Sequence, residues 1–274
     1  MNETGRAASS GNLASRTRVE LDEPYDRQLA PLGKHAISAL SVQPRDCILD
    51  IGCGTGRTSV ELGSLVGPQG KVLGIDLSAI VLEAASRNAE NSPHVCFVNG
   101  DAQVFPFEFG SFDAAYSRFG TMFFAEPVTA FNNIRKALKP KGRLAFVCWR
   151  SLEENELDTV PLKAAFPHLP DGLTDSSASA PFSFARREFV HHVLDKAGFR
   201  NIEISACDEE VGSGSLDSML ELTLRVGSLG RILRESPDLR NRVFNSLREM
   251  LAARDGVGGP MLNAAIWVVK AKSA

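Results

Sequence analysis

The chain has 274 residues, of which 43% are hydrophobic and 23% charged, as expected for one large globular domain or a domain with an insertion. Its formal net charge of −3 gives no overall cationic excess to attract nucleic acid or an anionic membrane. The five cysteines are widely spaced and odd in number, which favours reduced thiols over a disulfide framework.

Residues 1–22 are rich in small and polar residues, and residues 1–17 lack the apolar core of a signal peptide. They offer little apolar surface to offset the entropy of ordering them, so we expect a flexible tail before a domain over 23–274. No apolar run reaches the length of a membrane span. We expect a soluble, cytoplasmic monomer or homodimer with no nucleic-acid or membrane partner.

From residue 27 the pattern predicts alternating helices and strands. Strands are expected at 47–51, 71–75, 95–98, 112–117 and 144–149, and helices at about 27–40, 57–66, 78–91 and 127–138. Elements of these lengths in alternation are typical of an α/β fold with a mainly parallel sheet and helices on both faces.

The alternation breaks after Trp149. Residues 151–185 combine a short helical pattern with several prolines, which predicts a lid or insertion, and about 212–258 forms a second such segment. Helices are expected at about 186–197, 216–226 and 239–253, and the last two strands at 201–207 and 264–269.

A glycine-rich turn follows the first strand, in the run Asp50-Ile51-Gly52-Cys53-Gly54-Thr55-Gly56. Glycines remove the Cβ atoms that would keep a ligand off the backbone, although they also serve ordinary tight turns. Dinucleotide sites favour G-x-G-x-x-G, and here the third glycine comes one residue early. The acid before the loop would repel a pyrophosphate.

This run resembles the first motif of class I S-adenosylmethionine-dependent methyltransferases. The resemblance implies a Rossmann-like seven-stranded, mostly parallel sheet with an antiparallel last strand, and S-adenosyl-L-methionine as cofactor. Other segments, such as Ser117-Arg118-Phe119-Gly120 and Ala145-Phe146-Val147-Cys148-Trp149, resemble uncharacterised bacterial small-molecule methyltransferases. The implied activity is methyl transfer to a small, partly apolar or aromatic acceptor, through an O or N nucleophile.

The resemblance also assigns roles at four successive strand ends. Asp50 would bind the methionine ammonium group, Asp76 the ribose hydroxyls, and Asp101 the adenine amine; singly, each could equally cap a turn. Tyr25 would close over the cofactor. The expected cofactor-binding set is Asp50, Gly52, Cys53, Gly54, Gly56, Asp76, Leu77, Asp101, Ala102, Ser117 and Tyr25.

Apolar side chains after the fourth and fifth strands and in the insertion are expected to wall the acceptor pocket, although ordinary core packing explains about half of them equally well. The expected pocket residues are Phe119, Met122, Phe123, Trp149, Phe166 and Phe182.

Methyl transfer from a sulfonium is an in-line displacement that needs alignment more than a base. Candidate bases are His191, His192 and His168, although the pattern favours a surface histidine over a base at each position. Metal-ligand spacings such as C-x-x-C and H-x-x-x-H are missing, so no metal is expected. The chain also lacks the Pro-Pro-Tyr motif of enzymes that methylate nucleobase or glutamine amino groups.

Two alternatives remain open. A protein that binds the cofactor without catalysis would need no aromatic lid. A nicotinamide oxidoreductase would be favoured by a Tyr-x-x-x-Lys relay, but the residues four places after the two tyrosines are Leu29 and Gly120. The acceptor, the atom methylated and the oligomeric state are not specified by the sequence.

Overall fold

A seven-stranded sheet lies at the centre of the structure, a computed structural model that describes residues 3–170 and 180–274. The strands are β1 (Cys47–Ile51), β2 (Lys71–Asp76), β3 (Val95–Asn99), β4 (Phe112–Arg118), β5 (Leu138–Trp149), β6 (Arg200–Val211) and β7 (Leu262–Lys272). Their order is β3-β2-β1-β4-β5-β7-β6. The first five pair in parallel, and β7 is antiparallel to both neighbours. The predicted fold class is confirmed.

Ten α-helices accompany the sheet in the described part of the chain. They are α1 (Glu3–Glu20), α2 (Asp22–Leu40), α3 (Arg57–Val66), α4 (Ala79–Asn88), α5 (Pro127–Ala137), α6 (Glu156–Ala165), α7 (Arg187–Lys196), α8 (Leu216–Arg225), α9 (Gly227–Glu235) and α10 (Leu239–Ala252). None of these helices combines the length and apolarity needed to cross a membrane.

The core lies around the central strands, which are buried on both faces as parallel strands usually are. Ile48 and Leu49 on β1 and Ala114 and Ala115 on β4 are fully buried. Because the strand order reverses between β1 and β4, the carboxyl ends of these strands flank a crevice. The fold therefore places the residues that follow β1, β2 and β4 along one edge of the sheet.

A second hydrophobic cluster lies apart from this core and is built by α6, α8, α9 and α10. Its buried members are Ala165, Met219, Leu220, Leu224, Leu229, Ile232, Leu233, Leu239, Val243, Leu247, Leu251 and Leu262. Both sequence segments expected to cover the acceptor therefore contribute to one packed unit. The part of the first segment at 171–179 lies outside the described residues.

The expectation of a flexible tail over 1–22 is wrong for residues 3–20, which form α1. Thr17 near its end is 4% exposed, and the Arg225 guanidinium of α8 ion-pairs with Glu20. The hydrophobic stripe of α1 is weak, so these tertiary contacts, rather than amphipathic periodicity, fix its last turns. Helix α9 was also missed, and β5 begins six residues earlier than expected.

Candidate active site

The glycine loop after β1 brings backbone close to the crevice. Gly52 and Gly54 have φ of +68° and +55°, a left-handed conformation that glycine adopts without steric cost. A Cβ on Gly52 would lie 2.9 Å from the Gly120 Cα, so the loops after β1 and β4 touch through bare backbone. A ligand at this edge of the sheet would contact peptide groups.

Asp50 lies at the end of β1, beneath the loop, and is 1% exposed. Its Oδ2 accepts a hydrogen bond of 2.6 Å from Ser59 Oγ. Burial raises the pKa of Asp50 to about 6, and nearby Asp76 adds to this, against the opposing effects of Ser59 and Arg118. The buried carboxylate therefore lacks full compensation of its charge, and a cation in the cleft would supply it.

Asp76 ends β2 and orients the glycine loop. Its Oδ2 accepts from the Gly54 N–H at 3.0 Å, and its Oδ1 accepts from the Ser78 N–H at 2.9 Å. Each oxygen keeps acceptor capacity for a ligand hydroxyl. The next residue, Leu77, is 72% exposed, so an apolar side chain stands unburied beside the carboxylate.

Three further predicted residues end strands or follow them. The Asp101 carboxylate is held by Gln103, whose N–H donates to Oδ1 at 2.9 Å and whose side chain also donates to it. Ser117 is fully buried, donates to the Ile51 carbonyl at 2.7 Å, and accepts from the Gly120 N–H. Ala102 is buried beside Asp101. Ser117 thus braces the loop through its side chain.

Gly56 and Cys53 are both buried, unlike residues that only contact a ligand. A Cβ on Gly56 would lie 2.7 Å from Phe97 Cζ and 2.8 Å from Ala85 Cβ, so this glycine allows α3 to pack against its neighbours. Cys53 is 8% exposed and packs with Leu82 and Ala85. Burial, followed by Asp50 and Asp76, raises the pKa of its thiol, which is unsuited to nucleophilic chemistry.

The junction of α1 and α2 lies over the glycine loop. The sequence analysis expected Tyr25 on this side of the cleft but missed Arg18 and Asp22. The Arg18 Nε lies 3.6 Å from the position of a Cβ on Gly54, and the Arg18 guanidinium lies 4.8 Å from the Tyr25 ring centroid. Asp22 accepts from the Thr55 hydroxyl and, at 2.6 Å, from Arg57 Nε.

Of the predicted cofactor residues, Gly56, Asp76, Leu77, Asp101, Ala102 and Ser117 do not line the cleft that the others form. This narrow cleft has about 10 Å³ of free volume, roughly one water molecule. It is lined by Arg18, Asp22, Tyr25, Asp26, Asp50, Gly52, Cys53, Gly54, Thr55, Thr58 and Arg118. The buried Arg118 donates to Asp26 Oδ1 at 2.8 Å. The acids outnumber the arginines in the lining, which suits a ligand with a cationic end.

A larger cavity of about 540 Å³ adjoins the cleft and shares Arg18 and Tyr25 with it. Five of the six expected pocket residues line it: Phe119, Met122, Phe123, Trp149 and Phe182. The Phe119 and Trp149 rings stack with centroids 4.0 Å apart. Helices α6, α8 and α9 supply the remaining wall, including Asp158, Thr223, Arg231 and Arg234.

Four predicted site residues do not reach this cavity. Phe166 is 63% exposed and is not among the lining residues. His191 and His192 are exposed on α7, and His168 Nε2 lies 2.7 Å from Ser246 Oγ of α10. The structure therefore assigns none of these histidines a place beside the acceptor.

One group of potential metal ligands is present in residues 3–170 and 180–274. His35, Cys207 and Glu209 place their donor atoms within 4.8 Å of one another, outside the cleft and the cavity. The His35 Nε2 lies 2.5 Å from Glu209 Oε2, so a hydrogen bond already accounts for this pair.

Residues 48–142 match the model of a methyltransferase domain family. Over 62% of its length the chain is 28% identical to demethylmenaquinone methyltransferase of Staphylococcus aureus, covering 75% of that protein. The chain carries a methyltransferase domain of the S-adenosylmethionine-dependent class. Its cofactor is S-adenosylmethionine, and the predicted class of methyltransferase is confirmed.

Two further comparisons concern the fold and the sequence alone. A solved S-adenosylmethionine-dependent methyltransferase from Aquifex aeolicus superposes with a TM-score of 0.55 at 15% identity, covering 95% of this chain and 98% of that one. An uncharacterised protein of a Streptomyces fradiae transposon is 36% identical over 49% of this chain, but the alignment spans only 40% of that relative. The nicotinamide oxidoreductase alternative is set aside.

The residues present fit the cofactor of this class. The loop offers bare backbone at Gly52 and Gly54, the buried Asp50 carries an uncompensated carboxylate, and Leu77 offers an exposed apolar side chain next to Asp76. These features match a sulfonium amino acid joined to a nucleoside. In the conformation described, however, Arg18 occupies the space over the loop and has to move for the cofactor to enter.

Proposed function

We propose that this chain transfers the methyl group of S-adenosylmethionine to an oxygen or nitrogen of a small, partly apolar or aromatic metabolite. The observation that carries the proposal is the junction of the cleft with the 540 Å³ cavity, since both are lined by Arg18 and Tyr25. A cofactor in the cleft would present its reactive end toward a pocket of the size that small ligands occupy.

The chain's own residues would hold the two ends of the cofactor. Asp50 would pair with the methionine ammonium group and Asp76 with the ribose hydroxyls, while Asp101 would accept from the adenine amine. Arg18 is placed to pair with the methionine carboxylate once it leaves its position over Gly54. Charge-assisted hydrogen bonds of this kind are the strong ones in protein sites.

The sulfonium supplies the electrophilic methyl group, so the chain mainly has to align the acceptor and exclude water. Phe119 is suited to this because it has a φ of +58°, a strained conformation for a bulky residue. Its N–H donates to the Val147 carbonyl at 3.1 Å, and its ring stacks on Trp149. The strain is held by these contacts and fixes the ring at the cavity wall.

The segments 151–185 and about 212–258 would form the acceptor side of the domain. Support comes from the cavity lining, which includes Leu157 and Asp158 from α6 and Arg231 from α9. Because these helices share the second hydrophobic cluster, we propose that they act together as one cover over the acceptor.

The test is binding of S-adenosylhomocysteine, the reaction product, to the wild type and to Asp76→Ala. Losing both acceptor oxygens removes about two charge-assisted hydrogen bonds, each worth roughly 1.5–3 kcal/mol, so the dissociation constant should rise about 100-fold or more. Glu83→Ala, an exposed carboxylate on α4, is the matched control and should leave binding unchanged. Unchanged binding in Asp76→Ala would refute the cofactor site.

Catalysis requires a second readout. The wild type is incubated with S-adenosylmethionine labelled in the methyl group and with a fractionated metabolite extract, and labelled products are identified by mass spectrometry. Label should appear in a small molecule with an apolar or aromatic part. Binding of S-adenosylhomocysteine without any label transfer would instead support a non-catalytic cofactor-binding protein.

A further inference from the structure

Helix α9 turns two arginines toward the acceptor cavity. Arg231 and Arg234 are three residues apart, which places them on one face of the helix, and both line the cavity with Gly227 and Ser228. The opposite face buries Leu229 and other residues in the second hydrophobic cluster. The packing of that face fixes the direction in which the two guanidinium groups point.

Neither arginine is neutralised by an ion pair within the part of the chain that the structure describes. Arg234 Nη1 donates to the Arg225 carbonyl at 2.6 Å, which uses one of its five N–H donors. Arg231 makes no comparable bond among the described residues. Most of the donors of the pair are therefore available to a ligand.

The charge of the cavity wall is positive although the chain as a whole carries −3. Among the described lining residues, Arg18, Arg231 and Arg234 are opposed by one carboxylate, that of Asp158. Its Oδ1 already accepts from the Ser228 N–H at 2.8 Å. Three cations against one acid leave a net charge of +2 on this wall.

The two arginines also stand close enough to repel each other. Burial lowers the pKa of Arg234, and the charge of Arg231 lowers it further, while the adjacent and exposed Glu235 opposes the shift. A like-charged pair at a partly desolvated wall is unfavourable unless an anion joins it. Arginine is suited to that anion because its planar fork matches carboxylate and phosphate oxygens.

We propose that Arg231 and Arg234 bind an anionic group of the methyl acceptor, a carboxylate or a phosphate, while its apolar body lies against Phe119, Trp149 and Phe182. This inference rests on the proposed function and adds the chemical class of the acceptor. The anion would anchor one end of the molecule at α9, leaving the other end to approach the cofactor cleft.

The test compares three probes that share a naphthalene body: 2-naphthoic acid, 2-naphthyl phosphate and the neutral 2-naphthamide. Each is added to the protein saturated with S-adenosylhomocysteine. Isothermal titration calorimetry should show at least one of the anions binding ten-fold or more tightly than the amide. The more tightly bound anion identifies the acidic group as carboxylate or phosphate. Equal binding of all three, or no binding of either anion, would overturn the proposal.

The variant Arg231→Gln should bring the better anion to within about two-fold of the amide and leave amide binding unchanged. Arg231→Lys should recover part of the preference, since it keeps the charge but loses the fork. Arg242→Gln, an exposed arginine on α10, is the matched control and should behave as the wild type. Full retention of the anion preference in Arg231→Gln would also overturn the proposal.

Arg234→Gln should have the same effect, but this residue also holds the Arg225 carbonyl, so Arg231 carries the test. Affinity for S-adenosylhomocysteine separates the two proposals. If the wild type fails to bind it, the proposed function fails. If all variants bind it normally and the probes show no preference for an anion, only the acidic acceptor is disproved.

Discussion

The cofactor side and the acceptor side of this domain are built in different ways. On the cofactor side, Asp50, Asp76 and Asp101 each end or follow a strand, and they lie within about fifty residues of sequence. On the acceptor side, the cavity wall combines side chains as distant as Tyr25, Trp149 and Arg231. The first is a property of one local chain pattern, whereas the second depends on how several helices pack.

This difference between the two sides explains which part of the domain the similarity to other proteins describes. The family match covers residues 48–142, which contain the glycine loop and the three acids but none of α6, α8 or α9. The helices that enclose the acceptor lie beyond it and pack around their own hydrophobic cluster. The family match therefore concerns the cofactor side and does not extend to the proposed acceptor pocket.

The largest effect is expected from Gly56→Ala, which tests whether the cofactor side depends on tight local packing. Its φ of +76° and a Cβ within 2.8 Å of Phe97 and Ala85 atoms combine backbone strain with overpacking, about 3 kcal/mol in all. The midpoint and free energy of urea unfolding measure it. Gly110→Ala, with a φ of +63° and open space around it, should cost only about 1 kcal/mol.

If Gly56→Ala and Gly110→Ala prove equally stable, the start of α3 does not depend on close packing against Gly56. S-adenosylhomocysteine affinity of the folded Gly56→Ala protein should also fall, because the loop and the start of α3 move together.

An intermediate effect is expected from pH, through Asp50. Its pKa is about 6 in the folded chain and 3.8 ordinarily, so the cost of ionising it is absent below pH 3.8 and complete above pH 6. The contribution of Asp50 to the free energy of unfolding is therefore greatest at low pH and is lost as the pH rises through 6. Cofactor affinity should depend on pH in the opposite sense, because the ammonium group of the cofactor pairs with the ionised form of Asp50.

The dissociation constant for S-adenosylhomocysteine should thus rise up to ten-fold for each pH unit below 6. Asp50→Asn should flatten this dependence, and Ser59→Ala should move its midpoint upward, since the Ser59 hydroxyl lowers the pKa of Asp50. Calorimetry between pH 5 and 8 measures both. A wild-type affinity that does not vary between pH 5 and 7 would contradict the role of Asp50.

The smallest effect is expected on the acceptor side, from the pair Phe182→Ala and Phe166→Ala. Phe182 lines the cavity, and removing part of its apolar contact should raise the acceptor KM about ten-fold, as roughly 1–2 kcal/mol of burial is lost. Phe166 is 63% exposed and outside the lining, so its variant should match the wild type. Steady-state kinetics with the acceptor identified from its labelled product decide between them.

The strand and turn pattern predicted the sheet well where apolar runs end at sharp turns. The expected bounds of β1 and α3, 47–51 and 57–66, are those observed. The β5 start was missed because the residues between Leu138 and Arg143 lie in an irregular pairing: Leu138 is opposite Phe112, and Arg143 is opposite Ala114. Turn-forming residues in this stretch of β5 therefore do not prevent the strand from continuing.

The missed parts of the site are those set by tertiary contacts. Arg18 belongs to a helix whose sequence is largely polar, and its position depends on Tyr25 in the next helix and on Gly54 in the loop after β1. Charges at the spacing of Arg231 and Arg234 usually mark a solvated helix face. Gly230 lies inside α9, and its missing Cβ allows the Arg225 backbone to approach, with a virtual distance of 2.3 Å.

The position of Arg18 links the binding of the two ligands. Its guanidinium lies over the glycine loop, and its side chain also forms part of the cavity wall. Cofactor entry must displace it, and the displaced side chain reshapes the pocket in which the acceptor waits. The two ligands are therefore thermodynamically linked, each altering the affinity for the other by the same factor. One side chain thereby couples the two halves of the proposed reaction, because occupancy of either site changes the affinity of the other.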